Sequence, residues 1–152
     1  MPQSSCGFAT QALLALCGPT IEVDIGFDPS FRPGSTAPIP GITGVQALVD
    51  TGATECCIDN LLAASLNLPI VDRRPIAGIS GQTTANMYLA QIRIPSLDFT
   101  MYGQFAGVDL QAGGQSHSAL MGRTFLRYTI MTYNGPSGPV IVVYNPPTPP
   151  TP

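Results

Sequence analysis

The chain has 152 residues, a net charge of −3 and only 10% charged side chains, with six Arg and neither Lys nor Trp. That length fits one domain able to bury a real core. The charge balance excludes a basic nucleic-acid footprint, and no apolar run reaches the length of a membrane span. Gly and Pro contribute 16 residues each, which points to many turns and short strands rather than long helices. So little charge also suggests that a partner chain covers part of the apolar surface.

Residues 8–17 are apolar but lack a basic n-region, and Cys17-Gly18-Pro19 is a poor cleavage site. They read as a tail or short helix, not a signal peptide. Cys6, Cys17, Cys56 and Cys57 fit neither a zinc pattern nor a redox pair, so no metal and no cofactor is implied. Cys56 and Cys57 are expected in a strand, one facing in and one out. The compartment stays open, with a lean towards a reducing, cytoplasmic one.

Residues 20–26 alternate apolar and polar, as a half-buried strand does. The Pro, Gly and Ser-rich stretch 26–41 is a long loop, in keeping with an insertion over the surface. A second strand over 44–49 ends in Asp50-Thr51-Gly52-Ala53. A carboxylate at the end of a core strand must be paired, hydrogen-bonded or functional. Gly52 lets backbone amides approach it without an intervening Cβ. Residues 56–59 form the outgoing strand. Asp59 then caps a short helix over 60–66, with Leu61, Leu62 and Leu66 placed to face the core.

Two extended arms over 74–94 flank Gly78-Ile79-Ser80-Gly81, giving a long hairpin. It is either an ordinary surface hairpin or a mobile lid that closes over an extended peptide and excludes water. Residues 97–106 form one or two further strands. His117, the sole His, lies in a polar loop over 109–118 and reads as solvated, with no nucleophile to serve. Residues 119–128 run from an apolar strand through Gly122-Arg123 into a short helix. Residues 129–134 and 140–144 form a closing hairpin, and the Pro/Thr-rich 145–152 is extended and unpacked.

Asp-Thr-Gly-Ala at 50–53, the hairpin tip at 78–81 and the apolar-Gly-Arg turn at 122–123 occur in an order that resembles the retropepsins, the single-lobe retroviral-type aspartic proteases. The resemblance runs from about residue 20 to 144. It implies an all-β, closed-barrel acid-protease fold with one or two short helices, acting as a dimer. The division expected is a tail over 1–19, the protease domain over 20–145 and a second tail over 146–152. Asp50 would be the catalytic aspartate, and the Thr51 hydroxyl would bond across the dimer. Gly52 and Ala53 would support substrate backbone, and Gly78, Ile79, Ser80 and Gly81 would form the flap. Gly122 and Arg123 would be structural at the active site. Retroviral members commonly carry an acidic residue after Ala that pairs with this Arg. Here Thr54 stands there, then Glu55, and position 124 is Thr where Asp or Asn is frequent.

Such chemistry hydrolyses a peptide bond with a water held between two carboxylates that share a proton. Asp59, Asp72, Asp98 and Asp109 are followed by Asn, Arg, Phe and Leu, so none supplies a second Asp-Thr/Ser-Gly loop. The second carboxylate is therefore expected from Asp50 of another copy, in a C2 homodimer acting on an extended peptide or protein. A non-catalytic dimerisation or peptide-binding module on the same fold is the rival. A generic β-barrel with a coincidental Asp-Thr-Gly is the third reading.

Overall fold

The computed structural model describes residues 1–35, 37–78 and 81–146. Six strands close into a barrel: β2 (Thr20–Gly26), β3 (Gly41–Val49), β4 (Cys57–Asp59), β6 (Gly81–Ile94), β7 (Phe99–Val108) and β8 (Ala119–Met121). Their order around the ring is β2-β3-β8-β4-β7-β6, and a β2–β6 pairing closes it. Most neighbours are antiparallel, but β3 runs parallel to β8 and β4 parallel to β7. The interior is filled by alternate residues of these strands, among them Ile21, Val23, Ile25, Ile58, Ile92, Ile94 and Met121, all buried. The expected all-β closed barrel with short helices is thus present.

β5 (Ile70–Gly78) pairs only with β6, from Ile70↔Tyr88 to Gly78↔Gly81. Beyond Met87, β6 joins β7, so residues 72–78 and 81–86 project from the barrel as a two-stranded arm. Strand β5 itself begins at Ile70, four residues earlier than the sequence pattern indicates, because Ile70 and Val71 are exposed and break the alternation there. Two of the expected flap residues, Ile79 and Ser80, lie outside the described residues.

A separate sheet of order β1-β10-β9 packs on the barrel, built from β1 (Gln3–Ser5), β9 (Thr129–Tyr133) and β10 (Val140–Tyr144). Residues 1–19 supply β1 and the helix α1 (Gln11–Cys17), and Cys6 and Leu14 from this segment are buried in the main core. Backbone bonds tie it down: Cys6 N–H donates to Val140 O at 2.8 Å, and Thr20 N–H to Cys6 O at 2.8 Å. Among the described residues no helix is long and apolar enough to cross a membrane.

The second helix, α2 (Asn60–Ser65), begins at the expected cap, with Asp59 accepting from Leu62 N–H at 3.1 Å. Leu62 is buried and Leu66 half-buried against the core, whereas Leu61 is 55% exposed. Adjacent helical residues point about 100° apart, so Leu61 turns away when Leu62 and Ala63 take the inner face. Cys56 and Cys57 do alternate, but both are buried. Cys56 enters the main core, while Cys57 enters a second small cluster with Met87 and Ala106, because both faces of β4 are covered.

Candidate active site

β3 carries Asp50 to the rim of the barrel beside β8, and Asp50 N–H donates to Met121 O at 3.0 Å. The chain then turns sharply. Gly52 N–H donates to Asp50 Oδ1 at 2.9 Å, and Ala53 N–H to Asp50 O at 3.3 Å. A Cβ on Gly52 would stand 3.1 Å from Oδ1, so glycine allows this amide its close approach. Asp50 is half-buried, Thr51 and Gly52 are exposed, and Oδ2 accepts no hydrogen bond among the described residues. The expected site residues 50–53 therefore form one loop presenting one carboxylate.

The turn at 122–123 braces that loop from beneath. Arg123 N–H donates to Ala53 O at 2.9 Å and Thr124 N–H to Thr54 O at 3.1 Å. The Arg123 guanidinium donates to Thr51 O at 2.8 Å and to Thr54 Oγ1 at 3.0 Å. Its partners are thus a carbonyl and a hydroxyl, and no carboxylate pairs with it among the described residues. Thr124 Oγ1 accepts from Cys56 N–H at 3.2 Å, so the residue where Asp or Asn is frequent still serves the loop. Gly122 leads into α3 (Arg123–Leu126), and a Cβ there would meet Glu55 O at 2.5 Å and Ala53 O at 2.7 Å. The contribution of Thr54 and Thr124 was not visible in the sequence, since hydroxyls on separate segments carry no local signal.

The remaining aspartates have other work. Asp59 is fully buried and accepts three backbone amides, from Leu62, Leu110 and Gln111, at 2.9–3.1 Å. Asp72 and Asp98 pair with Arg74 and Arg93, Asp24 takes the Gly44 amide and Asp28 the Ser30 amide. Asp109 accepts from Asn60 Nδ2 at 2.8 Å, and Asn60 Oδ1 accepts from the Tyr88 hydroxyl at 2.8 Å. No cluster of His, Cys, Asp or Glu among the described residues is suited to a metal ion.

A cleft of about 290 Å³ lies between the projecting arm and the β7–α2 side of the barrel, lined by Asn60, Arg73, Ile76, Thr83, Asn86 and Asp109 among others. Arg74 holds the base of the arm, donating to Gln104 Oε1 of β7 at 3.0 Å. Burial pushes the Cys57 thiol up to about 12, with the charges of Cys56, Glu55 and Asp50 adding to the effect. His117, expected as solvated, is 5% exposed, and its Nε2 lies 2.8 Å from Thr20 Oγ1. The Thr20 hydroxyl donates to Gly18 O, which leaves its oxygen to accept from the imidazole. The polar loop folds inward here because β8 must start beside β3, with Ser118 N–H on Gln46 O.

No curated protein matches the chain. Among solved structures, the EIAV protease complexed with the inhibitor HBY-793 is 17% identical, with a TM-score of 0.47 over 71% of this chain and 84% of that one. A sequence profile described as aspartyl protease matches residues 36–125, more than half of the chain, and takes in both the Asp50 loop and the Gly122-Arg123 turn. The chain belongs to the aspartyl protease family.

Proposed function

We propose that the protein is a homodimeric aspartic endopeptidase in which Asp50 of each subunit contributes one carboxylate. The observation that carries this reading is the Asp50 loop itself. One carboxylate oxygen is fixed by the Gly52 amide, the other is free among the described residues, and the loop is braced by Arg123. Two such groups across a two-fold axis cannot both ionise, so they share a proton. One accepts a proton from the attacking water while the other donates to the peptide carbonyl oxygen. The pair titrates as a unit, which sets an acid-to-neutral activity optimum.

The other aspartates are engaged elsewhere, so a single subunit offers no second carboxylate of this kind. The dimer is further supported by β9. It is an edge strand, it follows α3 directly, and Ile130 and Tyr133 on it are more than half exposed. An open edge with apolar side chains is a template for another chain. The arm of β5 and β6 would close over an extended peptide, with Gly78 to Gly81 at its tip, while Gly52 and Ala53 meet the substrate backbone and Thr51 bonds to the opposing loop.

The test is Asp50→Asn, assayed by cleavage of a denatured protein from pH 4 to pH 8, with the oligomeric state measured by sedimentation. The expected result is a dimer without activity. Cleavage that survives the substitution, or a wild type that never cleaves, would favour a non-catalytic module on the same fold.

A further inference from the structure

β9 runs antiparallel to β10, from Thr129↔Tyr144 to Tyr133↔Val140. Along such a strand, successive residues turn their N–H and C=O to opposite sides, so pairs alternate between hydrogen-bonded and non-hydrogen-bonded. Two bonds set the phase. Asn134 N–H donates to Pro139 O at 2.9 Å, and Asn145 N–H to Tyr128 O at 2.7 Å. The even-numbered residues of β9 therefore face β10. Thr129, Met131 and Tyr133 turn their backbone groups to the other side, where no strand meets them among the described residues. Natural edges are commonly blunted by Lys, another charge or Pro. Thr129-Ile130-Met131-Thr132-Tyr133 contains none of these.

A second copy of β9 is self-complementary to this edge, and two-fold symmetry leaves few ways to add it. The pairing is antiparallel, and only the outward residues can form hydrogen-bonded pairs. An axis through Met131 uses all three: Met131 meets the partner's Met131, Thr129 the partner's Tyr133, and Tyr133 the partner's Thr129. An axis at Ile130 leaves Tyr133 opposite Arg127, outside the strand, and one at Thr132 leaves Thr129 opposite Gly135. An axis at either end of the strand keeps a single pair. Each hydrogen-bonded pair carries two backbone bonds, so the central axis satisfies the most groups.

We propose that β9 strands of two copies pair about a two-fold axis at Met131, giving one six-stranded sheet of order β1-β10-β9-β9-β10-β1. This rests on the homodimer reading above and specifies its surface and register. The termini are not exchanged. Cys6 N–H donates to Val140 O at 2.8 Å and Tyr144 N–H to Pro2 O at 2.9 Å, so β1 and β10 are already joined within one subunit. The occupant is a second copy because Asp50 lacks a twin in its own subunit. Only α3 and Arg127-Tyr128 separate the Arg123 brace from β9, so pairing the β9 edges ties both Asp50 loops to one sheet. On its outer face Ile130, 53% exposed, stands opposite the partner's Thr132. That is a non-hydrogen-bonded pair, with Cα atoms about 4.5 Å apart and within disulfide reach.

The test uses the full chain with the half-exposed Cys17 replaced by Ser, and Ile130→Cys and Thr132→Cys made as separate variants. Sedimentation gives the oligomeric state. Under mild oxidation an equimolar mixture should form cross-linked heterodimers at least about tenfold faster than either variant alone links to itself, because only 130 and 132 face each other. Self-linking of Ile130→Cys would put the axis at 130, and self-linking of Thr132→Cys at 132. Either result overturns the proposal. A dimer that cross-links in no combination also overturns it, while the homodimer itself stands. A monomer by sedimentation removes both. As a second measurement, Tyr133→Pro deletes an outward N–H and no bond to β10. It should keep its circular dichroism and raise the dimer dissociation constant at least about tenfold. An unchanged constant would show that β9 is not the joined edge.

Discussion

The guanidinium of Arg123 donates to the carbonyl oxygen of Thr51 at 2.8 Å, across 72 positions of sequence. This bond holds the loop from its backbone, one residue beyond Asp50, while the second amine of Arg123 takes the Thr54 hydroxyl at 3.0 Å. The brace therefore does not depend on an acidic residue after Ala53. A planar fork reaches two neutral acceptors at once, which an ammonium group on a flexible stem does less well.

Arg123→Lys should keep the positive charge yet lose most of the brace. The expected effect is a destabilisation of about 1–2 kcal/mol, together with a fall in kcat larger than any change in KM, because the Asp50 loop loses its fixed position rather than its substrate contacts. Thermal unfolding and steady-state turnover check it. A variant of wild-type turnover with a lowered Tm would place the brace in stability alone.

Gly122→Ala should be severe. The new methyl would meet two backbone carbonyls, Glu55 O at 2.5 Å and Ala53 O at 2.7 Å, and backbone atoms cannot swing aside as a flexible side chain can. A loss of about 3 kcal/mol is expected, read by urea unfolding. A wild-type midpoint would show that the loop and the turn can separate at no cost.

His117 links stability to pH. Burial holds its imidazole below the usual histidine range. The unfolded chain therefore binds the proton first, and the contribution of His117 is fully present above the unfolded value of about 6.5 and is lost as pH falls below it through the folded value. His117→Gln offers an amide to Thr20 without titrating. The stability difference between wild type and this variant should shrink or reverse between pH 8 and pH 5, as measured by urea midpoints. A difference that stays constant with pH would show that the ring titrates alike in both states.

The four thiols should separate by access. Cys6, Cys56 and Cys57 are buried and their pKa values are raised by that burial, Cys57 to about 12, whereas Cys17 is half-exposed. The thiolate is the reactive form, so a thiol reagent at pH 7.5 should label Cys17 in the folded protein and the other three only in denaturant. Peptide mapping after labelling reads the order.

Much of the site's position was legible before any coordinate. The strand into Asp50 shows as an apolar run ending at an Asp and a Gly, and Asp59 is recognisable as a cap from its place before an apolar helix. The closing hairpin shows in its turn residues. These signals are local, depending on residues within a few positions of one another. Asp59's further bonds to Leu110 and Gln111 were invisible for the opposite reason: they join segments 51 and 52 positions apart.

The same division runs through the whole molecule. The sequence by itself determined where strands alternate, where the chain turns and which carboxylate stands at the Asp-Thr-Gly turn, because backbone sterics and side-chain periodicity act over short spans. Only the tertiary structure decided that Arg123 bonds a carbonyl and a hydroxyl, that His117 is enclosed on Thr20, and that Cys56 and Cys57 are buried on opposite faces of β4. Burial and long-range partners depend on which layers pack over a residue, and that is a property of the closed barrel rather than of any single segment.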